Sequence, residues 1–196
     1  MSSYEAAYLE GRWIALAPLA TEHEAGLRQA AADPGIWTHM GLDAASRFDD
    51  WFAAAQAAVA EGREAHFVVR WKADGGIVGS SRYLNLAPAH KRLEIGHTWY
   101  APSHWGGPLN PECKLLMLRH AFAGLGVNRV EFRCDARNQR SRAALHKLGA
   151  IEEGTLRRHM VVRDGYVRDS VQFAITDRDW ARVEKALEAR LAAFED

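Results

Sequence analysis

The chemistry open to this 196-residue chain is concentrated in three stretches. Trp105-Gly106-Gly107-Pro108-Leu109-Asn110 lies between an alternating apolar run and a helical one. Successive backbone N–H groups at such a junction, with a helix dipole behind them, bind anions, and glycine lets the anion reach the backbone. Alone, this motif fits a plain Gly-containing strand-to-helix turn better than an anion site. The second stretch, Asp135 to Ala150, carries Asn138 and Ser141 one helical turn apart, so both project from one face. The third is Glu94-Ile95-Gly96-His97-Thr98-Trp99-Tyr100, where a carboxylate and an imidazole stand in a predicted strand. Strict alternation puts Glu94, Gly96, Thr98 and Tyr100 on one face and Leu93, Ile95, His97 and Trp99 on the other.

Other chemistries lack their residues. No G-x-G-x-x-G follows a strand, and G-x-x-x-x-G-K-[ST], G-x-S-x-G and H-E-x-x-H are absent. The nine histidines do not fall at metal-ligand spacing on one predicted element, so no metal is expected. Cys113 and Cys134 are too few for a disulfide framework or a cysteine-ligated zinc. The 25 Lys+Arg balance 25 Asp+Glu, which argues against nucleic-acid binding by bulk attraction. No run approaches the roughly 18 apolar residues of a membrane span. The opening residues show no basic-then-apolar signal, and a reducing cytoplasm is the expected compartment.

The elements that must position these residues read as follows. Residues 10–18 alternate as a strand. Thr21 with Glu24 forms a capping-box pattern for a helix to about Ala32, stopped at Asp33-Pro34-Gly35. Ser46 and Asp49 open a second helix that Gly62 ends. His66–Trp71 and Ile77–Leu86 flank an Ala73-Asp74-Gly75-Gly76 turn as a hairpin, and Leu93–Tyr100 is a further strand. Pro111 suits the first turn of a helix that ends near Gly124–Gly126. Val127–Cys134 is a strand and Asn138–Leu148 a helix. Ile151–Val162 and Tyr166–Ile175 form a second hairpin, and Asp177 caps a last helix from Asp179. Nothing divides the chain, so one domain is expected over 1–196. Hairpins early and crossovers in the middle give an α/β (α+β) class: a mixed, mostly antiparallel sheet of about seven strands with helices on both faces.

Taken together, these motifs resemble the GCN5-related N-acetyltransferase (GNAT) superfamily. They resemble more narrowly the branch that includes ribosomal-protein N-terminal acetyltransferases. The likeness rests on Glu94-Ile95-Gly96-His97-Thr98-Trp99, on Trp105-Gly106-Gly107 with its helix, and on Asn138-x-x-Ser141-x-x-x-Leu145-x-x-x-Gly149. Glu153-Gly154-x-x-Arg157 and Asp164-Gly165-x-x-x-Asp169 extend it. The resemblance implies a splayed central cleft that takes acetyl-CoA as co-substrate. Its pyrophosphate would lie by Trp105 on the amides of Gly106, Gly107, Leu109 and Asn110. Its pantetheine would pair with Thr98, Trp99 and Tyr100 and meet the Asn138 amide. Family loops usually read Gln/Arg-x-x-Gly-x-Gly/Ala; here Pro108 lacks an N–H, so one phosphate contact is lost or moved.

By the same resemblance Ser141 is the candidate acid for the departing thiolate and Glu94 the candidate base, with His97 its competitor. Members often carry a bulge in this strand, which would flip the parity partway along. The acceptor, a peptide N-terminus or a small-molecule amine, would lie between the connection of the first two helices, with Trp37 and Met40, and the 163–166 turn. Trp37 and Met40 serve equally as caps on the core. Nucleic acid and membrane are not expected partners, and a homodimer is compatible with the sequence. A CoA-binding module with little turnover is the alternative reading. Residues 133–168 hold nine Lys/Arg against four acids, and the remainder 16 against 21, so the neutral total is a sum of opposed regions.

Overall fold

The structure, a computed structural model, describes residues 4–194. Residues 1–3, where the start was read for a targeting signal, and 195–196 lie outside the described residues. The run expected as one strand over 10–18 is two, β1 (Leu9–Glu10) and β2 (Ile14–Pro18), paired antiparallel about a bend at Gly11. β3 (Ala65–Trp71) and β4 (Ile77–Ala87) form the expected hairpin, and β5 (Arg92–Tyr100) returns along β4. β6 (Arg129–Asp135), β7 (Ile151–Val161) and β8 (Val167–Thr176) complete an eight-stranded sheet in the order β1-β2-β3-β4-β5-β6-β8-β7. The short β1 brings the total above the seven or so expected.

Period-two alternation sends the strand side chains into two cores. On one face Phe67, Val69, Val130, Phe132 and Phe173 meet α3 (Leu109–Arg119), α4 (Gln139–Leu148) and α5 (Asp177–Ala192). On the other, Val68 and Trp99 meet α1 (Glu24–Ala30) and α2 (Phe48–Ala60), with Trp37 and Trp51 packed against Trp99. The helices therefore lie on both faces, as expected. Several helix starts differ from the sequence pattern. Thr21–His23 is a 3-10 turn, and the His23 ring nitrogen, not Thr21, takes the free Ala20 N–H at 3.1 Å. α2 begins at Phe48, behind Arg47 with no side-chain cap. α5 is capped by Thr176 and Asp179 rather than by Asp177.

α3 is held to the opposite end of the chain by one carboxylate. Glu112, buried, accepts the N–H groups of Arg12, Trp13 and Ile14 at 2.6, 2.9 and 2.9 Å. Gly11 is required there, because a Cβ would stand 2.5 Å from that carboxylate. α3 then runs into a five-residue π-helical turn, His120–Gly124.

The sheet is open at its centre. β5 and β6 run parallel and pair only at Arg92–Arg129, Leu93–Val130 and Glu94–Glu131. Beyond Glu94, β5 stays with β4 through Trp99 and Tyr100, while β6 stays with β8 through Asp135. The two strands therefore diverge, leaving one edge of Ile95–Tyr100 without a ladder. β5 also carries a bulge. Arg82 faces Gly96 and Ser80 faces Trp99, so Ser81 stands opposite both His97 and Thr98, and His97 has φ +47°. The extra residue flips the parity. Leu93, Ile95 and Tyr100 share the α3 core, and Thr98 bonds the α3 side chain of Lys114, while Trp99 lies in the α1–α2 core. The strict alternation expected for this strand fails from His97 onward for that reason. At the far edge, β7 is exposed along nearly its whole length, and two register shifts against β8 blunt it.

Candidate functional site

The divergence of β5 from β6 creates a cleft whose mouth is the β5–α3 loop. Gly106 has φ +83°, in the left-handed region that favours glycine, and no atom lies within 4 Å of a Cβ built there or at Gly107. Pro108 caps α3 and Pro111 is its third residue, so of Pro108–Pro111 only Leu109 and Asn110 carry an N–H. Those two lie in the first turn, where no intrahelical acceptor exists. The cradle for an anion is thus narrower than the Gly-Gly pair suggests. Leu109's side chain is buried in the core, leaving its backbone alone to serve a ligand.

Trp105, 42% exposed, donates its indole N–H to the Tyr100 carbonyl at 2.9 Å. The Arg140 guanidinium of α4 lies over its ring, 4.0 Å from the centroid. That cation–π contact spans the mouth, joining the loop after β5 to the helix after β6. Arg140 was not among the residues singled out from sequence; a single arginine on a basic helix carries no mark.

Along the cleft wall, Trp99 and Tyr100 bury their side chains, so only their backbone can serve a ligand, and of it the Tyr100 carbonyl already accepts from Trp105 while the Trp99 carbonyl faces β4. Tyr100 donates its hydroxyl to Asn110 Oδ1 at 3.2 Å. Gly79 of β4 is pressed against this wall, since a Cβ there would stand 2.3 Å from the Trp99 carbonyl oxygen. On the opposite wall, Asn138 is the N-cap of α4, and its Oδ1 accepts the Ser141 N–H at 3.0 Å. The side chain caps, rather than the backbone, leaving the amide NH2 of Asn138 as a donor. Ser141 lies beside Cys134 of β6, whose thiol pKa is raised by burial.

The two candidate bases sit at the apex where the strands part. Glu94 is buried; Asn85 donates to its Oε2 at 2.7 Å and Arg133 stands 3.4 Å from the same oxygen. Burial raises its pKa above the usual carboxylate range, against the pull of Arg133 and Asn85. His97, on the bulge, is exposed at its surface yet sits among enough protein to be desolvated. That desolvation, with the nearby Arg82 guanidinium, lowers its pKa to about 4. The imidazole is therefore neutral at physiological pH.

The acceptor side is more closed than expected. Trp37 is 1% exposed and spends its indole N–H on the Ala31 carbonyl at 2.9 Å, so it supports the site from beneath. Met40 is half-buried at the edge of the same core. Asp43 of the α1–α2 connection pairs with Arg163 of the β7–β8 turn at 3.1 Å, which brings the two expected walls into contact. Within 133–168, Arg137 pairs with Asp135 and Arg142 with Glu152, while Arg133 reaches outside the stretch to Glu94 and Glu131 and Arg163 to Asp43, so most of the basic excess stands. No group of three or more potential metal ligands occurs among the described residues.

A divided sheet, a β-bulge at the point of division and a helix N-terminus at its mouth are the features by which a fold of this kind is known. Residues 14–151, more than half of the chain, match the acetyltransferase (GNAT) domain, and the chain belongs to that family. A solved GCN5-related N-acetyltransferase from Brucella melitensis is 28% identical with a TM-score of 0.90, over 97% of this chain and 87% of that one. Mycobacterium smegmatis RimJ, solved in complex with CoA-disulfide, is 26% identical with a TM-score of 0.76, over 90% of this chain and 88% of that one. YdaF of Bacillus subtilis (strain 168), whose name assigns it provisionally to ribosomal N-acetyltransferases, is 32% identical over 108 residues. That match spans 55% of this chain and 57% of YdaF, little more than half of either.

Proposed function

We propose that this protein is an acetyl-CoA-dependent N-acetyltransferase that passes the acetyl group directly to a primary amine within a ternary complex. The observation that carries this reading is the parting of β5 from β6 directly after Glu94 and Glu131. It leaves a strand edge for the pantetheine amides beside a helix N-terminus for the pyrophosphate. The CoA-disulfide in the complex of the M. smegmatis relative supports the choice of cofactor. YdaF's name supports a ribosomal-protein amine as acceptor, which we take to be a peptide N-terminus, with a small-molecule amine the other candidate. The two buried free cysteines are in keeping with a reducing cytoplasm.

The chemistry follows from the residues. The acceptor nitrogen must lose a proton before it attacks the thioester carbon, and Glu94, at the apex, takes that proton directly or through a water. The backbone of the bulged strand supports the oxyanion that develops as the C–N bond forms. As the C–S bond breaks, the nitrogen sheds its remaining extra proton on becoming an amide, and the Ser141 hydroxyl relays that proton to the departing thiolate, ending protonated as it began.

Incubating the protein with acetyl-CoA and N-terminal peptides or pooled amines, while following free thiol, tests this. Thiol release that requires an acceptor is expected. In Ser141→Ala, kcat falls about 10²-fold with the KM for acetyl-CoA little changed. A CoA-induced thermal shift without thiol release from any acceptor would establish the second reading, a CoA-binding module, which the two prolines at the start of α3, Pro108 at its N-cap and Pro111 in its first turn, favour. The absence of any response to CoA rejects both.

A further inference from the structure

We infer that Lys114 is a catalytic cation, facing the thioester from the floor of the β5–β6 cleft and stabilising the thiolate as it departs. The inference rests on the reading of the cleft as an acetyl-CoA site.

Lys114 stands in α3 with its side chain turned into the protein, 7% exposed. Its Nζ donates to Thr98 Oγ1 of β5 at 2.8 Å and lies 6.0 Å from the ring centroid of Phe132 on β6. It therefore sits between the two strands, at the level where they have separated. Thr98 Oγ1 also bonds Ser81 Oγ at 2.7 Å, so Thr98 accepts from the lysine and donates onward. An ammonium has three N–H donors, and the Thr98 bond uses one.

No carboxylate among the described residues pairs with this amine. Glu112, two positions before it, is spent on the backbone of Arg12–Ile14. A buried cation without an anion is costly, and a methionine or leucine would fill the same space more favourably. The cost becomes intelligible if the anion arrives with the substrate: charge that develops on sulfur or oxygen in a dry cleft is strongly stabilised by a fixed cation. Burial lowers the lysine's pKa to about 8, so it is charged when an anion forms beside it. The charge state of Lys114 is coupled to its neighbour Cys113, whose thiol is pushed up by burial and donates to the Met117 sulfur at 3.8 Å.

The thiolate absorbance of bound CoA reads the contact without needing turnover. Lys114→Met keeps the volume and removes the charge; Lys114→Gln is the second variant. Both are expected to lower kcat about 10²-fold with the KM for acetyl-CoA within about threefold of wild type. Thermal stability is expected to hold or rise in Lys114→Met, and the thiol of bound CoA to ionise at a distinctly higher pH than in the wild type. An unchanged kcat and an unmoved thiol in variants that bind CoA normally overturn this inference alone. Failure of the wild type to bind CoA overturns it together with the cofactor reading.

Discussion

Asn138 and Ser141 are joined within the first turn of α4, where the Ser141 N–H donates to Asn138 Oδ1 at 3.0 Å. The amide oxygen is committed to the helix, so the NH2 group is what remains for a pantetheine carbonyl. Asn138→Asp keeps an excellent cap and removes that donor. Its stability should equal the wild type's while the KM for acetyl-CoA rises about tenfold. Asn138→Ala should show the same KM change and lose about 1 kcal/mol as well. An Asp variant with unaltered KM reduces Asn138 to a cap.

Glu94 and His97 separate by the direction of their protonation. Burial raises the Glu94 pKa, which makes it a stronger proton acceptor than an ordinary carboxylate. His97, lowered to about 4, is a weak one. Glu94→Gln is expected to lower kcat about 10²-fold and to abolish the acid limb of the pH–rate profile. His97→Asn should change kcat less than about fivefold. The reverse pattern would transfer the base to His97.

Three N–H groups depend on the Glu112 carboxylate. Glu112→Ala leaves all three without their acceptor, those of Trp13 and Ile14 on half-buried and buried residues, at a cost of about 3 kcal/mol. For a domain of this size the melting temperature should fall by about 6–12 °C. A shift under a degree or two would mean that water replaces the carboxylate.

Acid should weaken the fold before the carboxylates titrate. His66 is fully buried, its Nε2 bonded to Ser80 Oγ, and desolvation takes its pKa well below the ordinary value. His23, His97, His120 and His159 are lowered too. The unfolded chain binds these protons near pH 6.5 and the folded chain resists them, so their contribution is complete above about 6.5. It is lost as the pH falls toward the folded values, about 4 for His97. Denaturant midpoints should drop between pH 7.5 and pH 5, and less steeply in His97→Asn. A flat midpoint over that window contradicts the assignment.

Local chemistry was legible wherever a residue acts on its own neighbours. The Ala73–Gly76 turn, the α4 boundaries between Asn138 and Gly149, and the loop glycines all follow from backbone preference. What escaped depends on distant partners. The bulge at His97 arises where Ser81 of β4 confronts two residues, and a histidine in a strand-like run is too weak a local signal for positive φ to mark it. Glu112 and Lys114 look like the polar positions of an amphipathic helix; their burial comes from Arg12–Ile14, about a hundred residues away, and from Thr98. Trp37 reads as well for a pocket wall as for a core residue, and only its bond to Ala31 decides between them.

The parting of β5 from β6 has a thermodynamic side. A sheet that stops pairing at Glu94 and Glu131 omits rungs that its length could accommodate. Any ligand that lays amide groups along Thr98–Tyr100 supplies those rungs to the folded chain and to no other state. Folding and occupancy are then one linked equilibrium: at a ligand concentration a hundred times its Kd, the native state gains about 2.7 kcal/mol. A cell's supply of such a ligand would set not only how fast this protein works but how much of it stays folded.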